Sequence, residues 1–295
     1  MQEMKVQDNR FFTIGMIVSM FCWGLSWTSG KILASYGNAT NISFYRFLIT
    51  TVSLLLMLVI MKERVILNKK SLLVIFIASI CLSVYTYFFL KGLSLGTAGA
   101  GGVLVTTLNP LVTFGLTLLL TFKKPTQQEQ IGLLVGAIAT LILLKVWDNS
   151  DLLLSGGNLF FLMATLMWSV LSRFTSMAKD FGSPFIFSFW MYFLCTVMMF
   201  TVSDVHETVR ILMFSDMKFW FNMFFSATIT TAVATTFYFY ATTKIGVNKA
   251  SSYIFLVPTT AALGAWMFLG EVPAWYTVIG GIFGIFAVYQ ITSKR

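Results

Sequence analysis

The feature that most constrains this chain is a series of ten apolar stretches, each near the ~20 residues that cross a bilayer core, separated by short connectors. In hydrocarbon a backbone must satisfy its own hydrogen bonds, so such stretches fold as helices. With Gly, Pro and charge as punctuation, they fall at 11–35, 42–61, 71–91, 97–121, 129–147, 157–178, 184–202, 217–242, 248–269 and 273–292. Little of the chain remains for an extramembrane domain. Of the 295 residues 57% are hydrophobic and 11% charged, against about 25% charged in soluble domains, which excludes an ordinary soluble protein. The first run is longer than a signal-peptide core and no small-residue cleavage pattern follows it, so it reads as a retained membrane helix.

The net charge of +9 comes from 20 Lys and Arg against 11 Asp and Glu. In a soluble protein it would raise nucleic-acid binding; here most basic residues occupy connectors, so the charge reports topology and no nucleic-acid partner is expected. With the N-terminus in the cytoplasm, Lys31, Arg46, Lys91, Lys145, Arg210 and Lys218 fall toward the outer side and the other fourteen toward the inner. This positive-inside bias requires an even number of spans and places both termini in the cytoplasm, as expected for a bacterial inner (plasma) membrane protein.

The two halves of the chain also match. At an offset of 145, Trp23 falls on Trp168 and Phe44 on Phe189; at 150, Phe89 falls on Phe239, Gly96 on Gly246 and Ala100 on Ala250. At 148, Pro110 falls on Pro258, Pro125 on Pro273, Ile131 on Ile279, Gly132 on Gly280 and Gly136 on Gly284. Offsets that drift so little across five helices indicate duplication, with repeats at 1–150 and 151–295. Five is odd, so the second repeat enters the membrane inverted. Inverted repeats with a site between them are the usual architecture of secondary transporters.

The first helix carries Phe21-Cys22-Trp23-Gly24-Leu25-Ser26-Trp27, the second begins Phe44-Tyr45-Arg46-Phe47, and the ninth ends Leu269-Gly270-Glu271-Val272-Pro273 before Gly280-Gly281-Ile282-Phe283-Gly284. In these segments the sequence resembles the EamA-type drug/metabolite transporter superfamily over nearly its whole length. In the first repeat Thr121-Phe122-Lys123-Lys124-Pro125 departs from it, having lysine where such proteins often carry a Gly-Glu pair. The resemblance implies an all-α polytopic protein of ten transmembrane helices in two inverted five-helix repeats. It also implies a central cavity lined by the first, third, fourth, sixth, eighth and ninth helices, opening alternately to either side, and export of amino acids or related compounds.

The charged residues say more about the cargo. All eleven acids lie in tails, connectors or helix ends. A mid-membrane carboxylate is the usual proton relay and the counter-ion for a cationic drug, so a proton-coupled multidrug exporter is the alternative and not the first reading. Lys31 and Arg46 fall within apolar helices, where they either snorkel to the interface or face a cavity and attract a substrate carboxylate. Lys31 shares a helical face with Trp23 and Trp27. Aromatic residues with polar handles at helix centres should turn inward: Trp23, Trp27, Tyr85, Tyr87, Trp168 and Tyr238. Trp147, Trp220 and Trp275, near predicted ends, read as an interfacial belt.

Asn109 precedes Pro110 in the fourth helix, and Tyr253 leads to Pro258 in the ninth. Each proline frees a backbone carbonyl one turn earlier for a hydroxyl, an amide or a substrate. Asn109 and Tyr253 are therefore candidate substrate contacts, and Pro110 and Pro258 candidate hinges. The run Gly96-Thr97-Ala98-Gly99-Ala100-Gly101-Gly102 lacks the Lys and Ser/Thr of a phosphate loop and reads, like Gly132/Gly136 and Gly280/Gly284, as close helix packing. A monomer is expected, homodimerisation through these glycines being the alternative. No catalytic cluster, metal-ligand spacing or cofactor motif is found: the chain reads as a carrier for a small molecule within a lipid bilayer, and not as an enzyme. The lone His206 reads as a solvated residue in a polar connector.

Overall fold

The computed structural model describes residues 2–66, 68–121, 126–144, 156–270, 272 and 275–292. Lys123, Lys124, Pro125, Trp147, Glu271, Pro273 and the junction of the two repeats at 150/151 lie outside them. The helices are α1 (Gln2–Leu33), α2 (Ala39–Ile60), α3 (Leu72–Leu95), α4 (Ala98–Thr121), α5 (Gln127–Leu144), α6 (Gly156–Thr175), α7 (Pro184–Val202), α8 (Val205–Phe214), α9 (Met217–Phe224), α10 (Thr236–Ile245), α11 (Val247–Ser252), α12 (Val257–Leu269) and α13 (Trp275–Thr292). No strand occurs among the described residues.

Among those residues, seven helical stretches are long and apolar enough to cross a membrane: Arg10–Leu33, Ala39–Ile60, Lys69–Leu95, Gly101–Leu119, Gly157–Phe181, Pro184–Val202 and Val247–Leu269. The expected fifth and tenth crossings are the 18-residue helices α5 and α13, which adjoin residues outside the description. The expected eighth is not a uniform α-helix. Between α9 and α10 the chain adopts a π-helix over Phe225–Thr235. There Thr231 Oγ1 donates to the Ser226 carbonyl at 2.7 Å and Thr235 Oγ1 to the Thr230 carbonyl at 2.9 Å, both five residues back. The ninth stretch bends through a 3₁₀ turn at Tyr253–Leu256, and Pro258 then stands in the first turn of α12, where its missing N–H costs nothing. Its repeat mate Pro110 sits inside an unbroken α4.

One connector is corrected outright: His206 lies in helix α8 and not in a loop. Asp204 caps that helix by accepting the Glu207 N–H at 2.7 Å, so Asp-x-x-Glu is a start signal. α8 ties the second half to the α1–α2 turn. Asn41, fully buried, donates to the Asp204 carbonyl and to Thr208 Oγ1, while the Asn38 side chain donates to Glu207. The Tyr36 hydroxyl donates to Asp216 at 2.7 Å, and Arg210 reaches both the Tyr36 carbonyl and Glu207.

Helix packing comes in reciprocal pairs, as two-fold related halves require. α3 lies on α6 as the α9–π–α10 run lies on α1, α4 on α6 as α12 on α1, and α2 on α7, α5 on α13 and α4 on α12 each meet their own counterpart. Small residues set these distances. At Gly96 and Gly157 the backbones of two helices touch, and Gly92 and Gly101 both seat the Phe161 ring. Phe255 is gripped from both sides, its ring against Gly136 of α5 and its carbonyl against Gly284 of α13. These contacts match the packing role expected of the glycines.

A Cβ at Gly284 would stand 2.8 Å from the Phe255 carbonyl oxygen, a backbone atom that cannot rotate away, whereas one at Gly115 meets nothing within 4 Å. Gly284→Ala is therefore expected to cost about 1–3 kcal/mol, and Gly115→Ala to be neutral or stabilising by up to about 1 kcal/mol, read as thermal unfolding in detergent. Equal midpoints for the two variants would refute this packing. At the helix corner the Phe219 N–H, followed by the Tyr36 hydroxyl, holds the Asp216 carboxyl below the usual carboxylate range. Its stabilisation is complete above the unfolded-chain value of about 4 and lost as pH falls through the lowered native value. Asp216→Asn should thus be less stable than wild type at neutral pH, with the gap closing in acid; a gap independent of pH would show the charge to be idle.

Candidate functional site

Helical geometry puts Trp23, Ser26 and Trp27 on one face of α1. Across from them α6 presents Trp168. The duplicated tryptophans meet at the centre, Trp23 edge-on to Trp168 with ring centroids 5.0 Å apart at 90°. Tyr85 of α3 packs on Trp168 at 4.7 Å and Trp27 on Phe89 at 4.8 Å. The Trp23 indole N–H donates to Thr235 Oγ1 at 3.1 Å, so the π-helix supplies the partner that an indole in an apolar interior requires.

These rings wall a narrow central cavity. Besides Trp23, Ser26, Trp27, Tyr85, Phe89 and Trp168, it is lined by Arg46 and Phe47 of α2, Leu82 and Thr86 of α3, Val105, Thr106 and Asn109 of α4 and Tyr192 of α7. Thr230, Thr231 and Thr235 of the π-helix and Ile254 of the 3₁₀ turn complete it. Both α2 and α7 thus join the helices that the resemblance implied. The side-chain carbon stem of a helix core residue fixes where Arg46 can reach. Its Nε and Nη2 donate to Thr231 Oγ1 at 3.2 and 3.0 Å, and its guanidinium carbon lies 5.5 Å from the centre of the Phe89 ring.

Arg46 is 9% exposed, and among the described residues no acidic side chain lines the cavity. A buried guanidinium is ordinarily paired with an acid; this one has a hydroxyl and a ring face. Four more polar groups in the wall have no hydrogen-bond partner: the Tyr192 hydroxyl, the Thr230 hydroxyl, the Asn109 side-chain nitrogen and the Trp168 indole N–H. Buried polar atoms are normally satisfied, so five groups here, Arg46 included, hold hydrogen-bonding capacity that the protein itself does not use.

The structure brings together Trp23, Trp27, Arg46, Tyr85, Asn109 and Trp168 of the residues singled out in the sequence. Tyr238 stands one layer behind, its ring 4.9 Å from Trp23 and its hydroxyl 3.2 Å from Ser172. Tyr87 lies beside Phe88 and off the cavity, because two positions apart on a helix point in nearly opposite directions. Tyr253 reaches instead to Thr13 on α1, 3.3 Å away. Lys31 is also outside the lining: its Nζ donates to the Leu93 and Gly96 carbonyls at 2.7 Å each. There it neutralises the negative end of α3. Tyr192 and the π-helix threonines are the lining residues that carried no signal of their own, sitting in runs that are apolar or Thr-rich without a dominant face.

Removing the ammonium should free those two carbonyls. Lys31→Gln is expected to destabilise the protein by about 1.5–3 kcal/mol, the worth of hydrogen bonds to a charged group, measured as thermal unfolding in detergent. A wild-type midpoint would mean that Lys31 contributes nothing at the end of α3.

The cavity is lined from both halves of the chain, and comparison with known proteins shows what those halves are similar to. The chain is similar to a WAT1-related chloroplastic protein of Arabidopsis thaliana, 25% identical over 219 residues, which is 69% of this chain and 50% of that protein. The chain thus spans about half the length of this curated relative. A crystal structure of another protein superposes with a TM-score of 0.69 at 13% identity, over 95% of this chain and 96% of the other, a likeness of fold. Residues 11–145 and 155–293, one segment for each half, both match the EamA-like transporter family, and the chain belongs to that family.

Proposed function

We propose that this membrane transporter moves a small metabolite by alternating access, exporting amino acids or related zwitterionic or anionic compounds. The observation that carries this reading is the cavity enclosed where Trp23 and Trp168, the matched tryptophans of the two repeats, touch. In this reading α5, the α9–π–α10 run and α13 complete ten crossings in two inverted repeats, 1–150 and 151–295. Both termini lie in the cytoplasm of a cell whose inner membrane holds the protein as a monomer. Rocking of one repeat against the other exposes the cavity to each side in turn. Pro110 and Pro258 supply the bending points, the first within α4 and the second where the 3₁₀ turn enters α12.

The test requires no prior choice of substrate. Cells expressing wild type or Trp168→Ala at matched levels are compared by untargeted mass spectrometry of medium and cell contents. Trp168 contacts Trp23, Tyr85, Tyr238 and Phe239. Removing the ring that forms this part of the cavity wall should lower flux at least about tenfold, the factor of about 1.4 kcal/mol of lost contact with the cargo. A compound enriched outside only with wild type is the expected result. Equal profiles for wild type, Trp168→Ala and empty cells would sink the export reading.

A further inference from the structure

The cavity carries a charge that nothing in its wall balances, and this defines the ligand more narrowly than the fold does. Resting on the reading of this cavity as the transport site, we infer that the cargo binds as an aromatic or apolar carboxylate anion whose oxygens engage Arg46, Tyr192, Thr230 and Asn109, and that an ammonium group on it adds nothing to binding.

The argument begins with the inventory of donors. A guanidinium carries five N–H groups and accepts nothing; in Arg46 two nitrogens share the single oxygen of Thr231. The hydroxyls of Tyr192 and Thr230 and the amide nitrogen of Asn109 are buried without partners. The Asn109 side-chain oxygen already accepts from Thr113. What the wall lacks is an acceptor rich in lone pairs and negative in charge. A carboxylate offers two oxygens with about four acceptor sites, and its bidentate pairing with arginine is among the stronger polar contacts available.

An ammonium group finds the opposite. Among the described residues no carboxylate lines the cavity, so its positive charge would share a poorly solvated space with Arg46. The ring faces of Trp23, Trp27 and Trp168 could receive it by a cation–π contact of about 0.5–2 kcal/mol. In a low-dielectric interior, like-charge repulsion at a few ångströms outweighs such a contact. The same rings suit the apolar part of the cargo. The zwitterion of an amino acid gains the carboxylate contacts and loses part of them through its ammonium, so the desamino acid is the better fit.

Three probes of nearly equal shape separate these cases: 3-phenylpropanoate, L-phenylalanine and 2-phenylethylamine, titrated calorimetrically into purified protein in lipid nanodiscs. The acid is expected to bind at least about tenfold tighter than the amine and no more weakly than the amino acid, a factor in line with one uncompensated charge contact. Arg46→Gln should erase the ranking, Arg46→Lys should retain part of it, and Tyr192→Phe should weaken the acid several-fold while leaving the amine unchanged. Thermal unfolding of each variant shows that it is folded. Preference for the amine or the zwitterion, a ranking that survives Arg46→Gln, or absence of binding by the acid would each overturn the inference. Proteoliposome flux separates it from the transport reading. Acid bound with the expected ranking but not carried would uphold the anion site and defeat transport; carriage of the amine would do the reverse.

Discussion

One guanidinium inside an apolar bundle organises the centre of this protein. Arg46 cannot reach water without leaving the α2 packing that buries it, and it finds no acid there, so its environment must be built from hydroxyls and ring faces. The π-helix provides the hydroxyls. π-Helices are rare and concentrate at functional sites, and Phe225–Thr235 has an evident reason to exist. Thr231 and Thr235 bond backward to carbonyls five residues earlier while accepting N–H groups from Arg46 and Trp23. Thr50 and Ser53 of α2 extend the seam, reaching the Ala227 carbonyl and the Thr228 hydroxyl. A membrane helix usually satisfies its polar backbone locally; this one is partly held by side chains from the other half of the chain.

The rest of the bundle follows from close approach. In lipid there is no hydrophobic gain from bringing two helices together, so small residues and interlocking rings must do it. Phe161 fits against Gly92 and Gly101, and Phe255 against Gly136 and Gly284. Each large ring thus lies across a gap left by glycines on its neighbours. The α5–α13 pair closed by Phe255 stands apart from the cavity lining, a frame beside the central site.

Much of this was legible in the residues before any coordinates. The offset of 145 that aligns Trp23 with Trp168 put two tryptophans at equivalent depths, and the structure brings those very rings into contact. Arg46 was legible as a cation in an apolar run. What escaped has physical causes. Tyr192 lies in α7, whose sequence is apolar on every side, so no periodicity marks its inward face. The π-helix depends on partners from α1 and α2 that a local window does not contain. Tyr85 and Tyr87 looked alike, and the helical turn separated them. α8 was masked by its polarity, although Asp204 and Glu207 stand at capping positions. The Lys31 ammonium shows the converse limit: its face was read from α1, but the carbonyls that claim it belong to α3.

The cavity is built from equivalent halves and yet is unequal from end to end. At the offset that maps Phe44 onto Phe189, Arg46 maps onto Met191, a fully buried thioether. Duplication supplied the matched tryptophans, and divergence left the charge on one side alone. A molecule with one polar end therefore has a single favourable way to lie in the cavity. In the proposed alternating-access cycle the bundle inverts its opening while the guest keeps its heading, so the same end that leads on entry at one face trails on departure at the other.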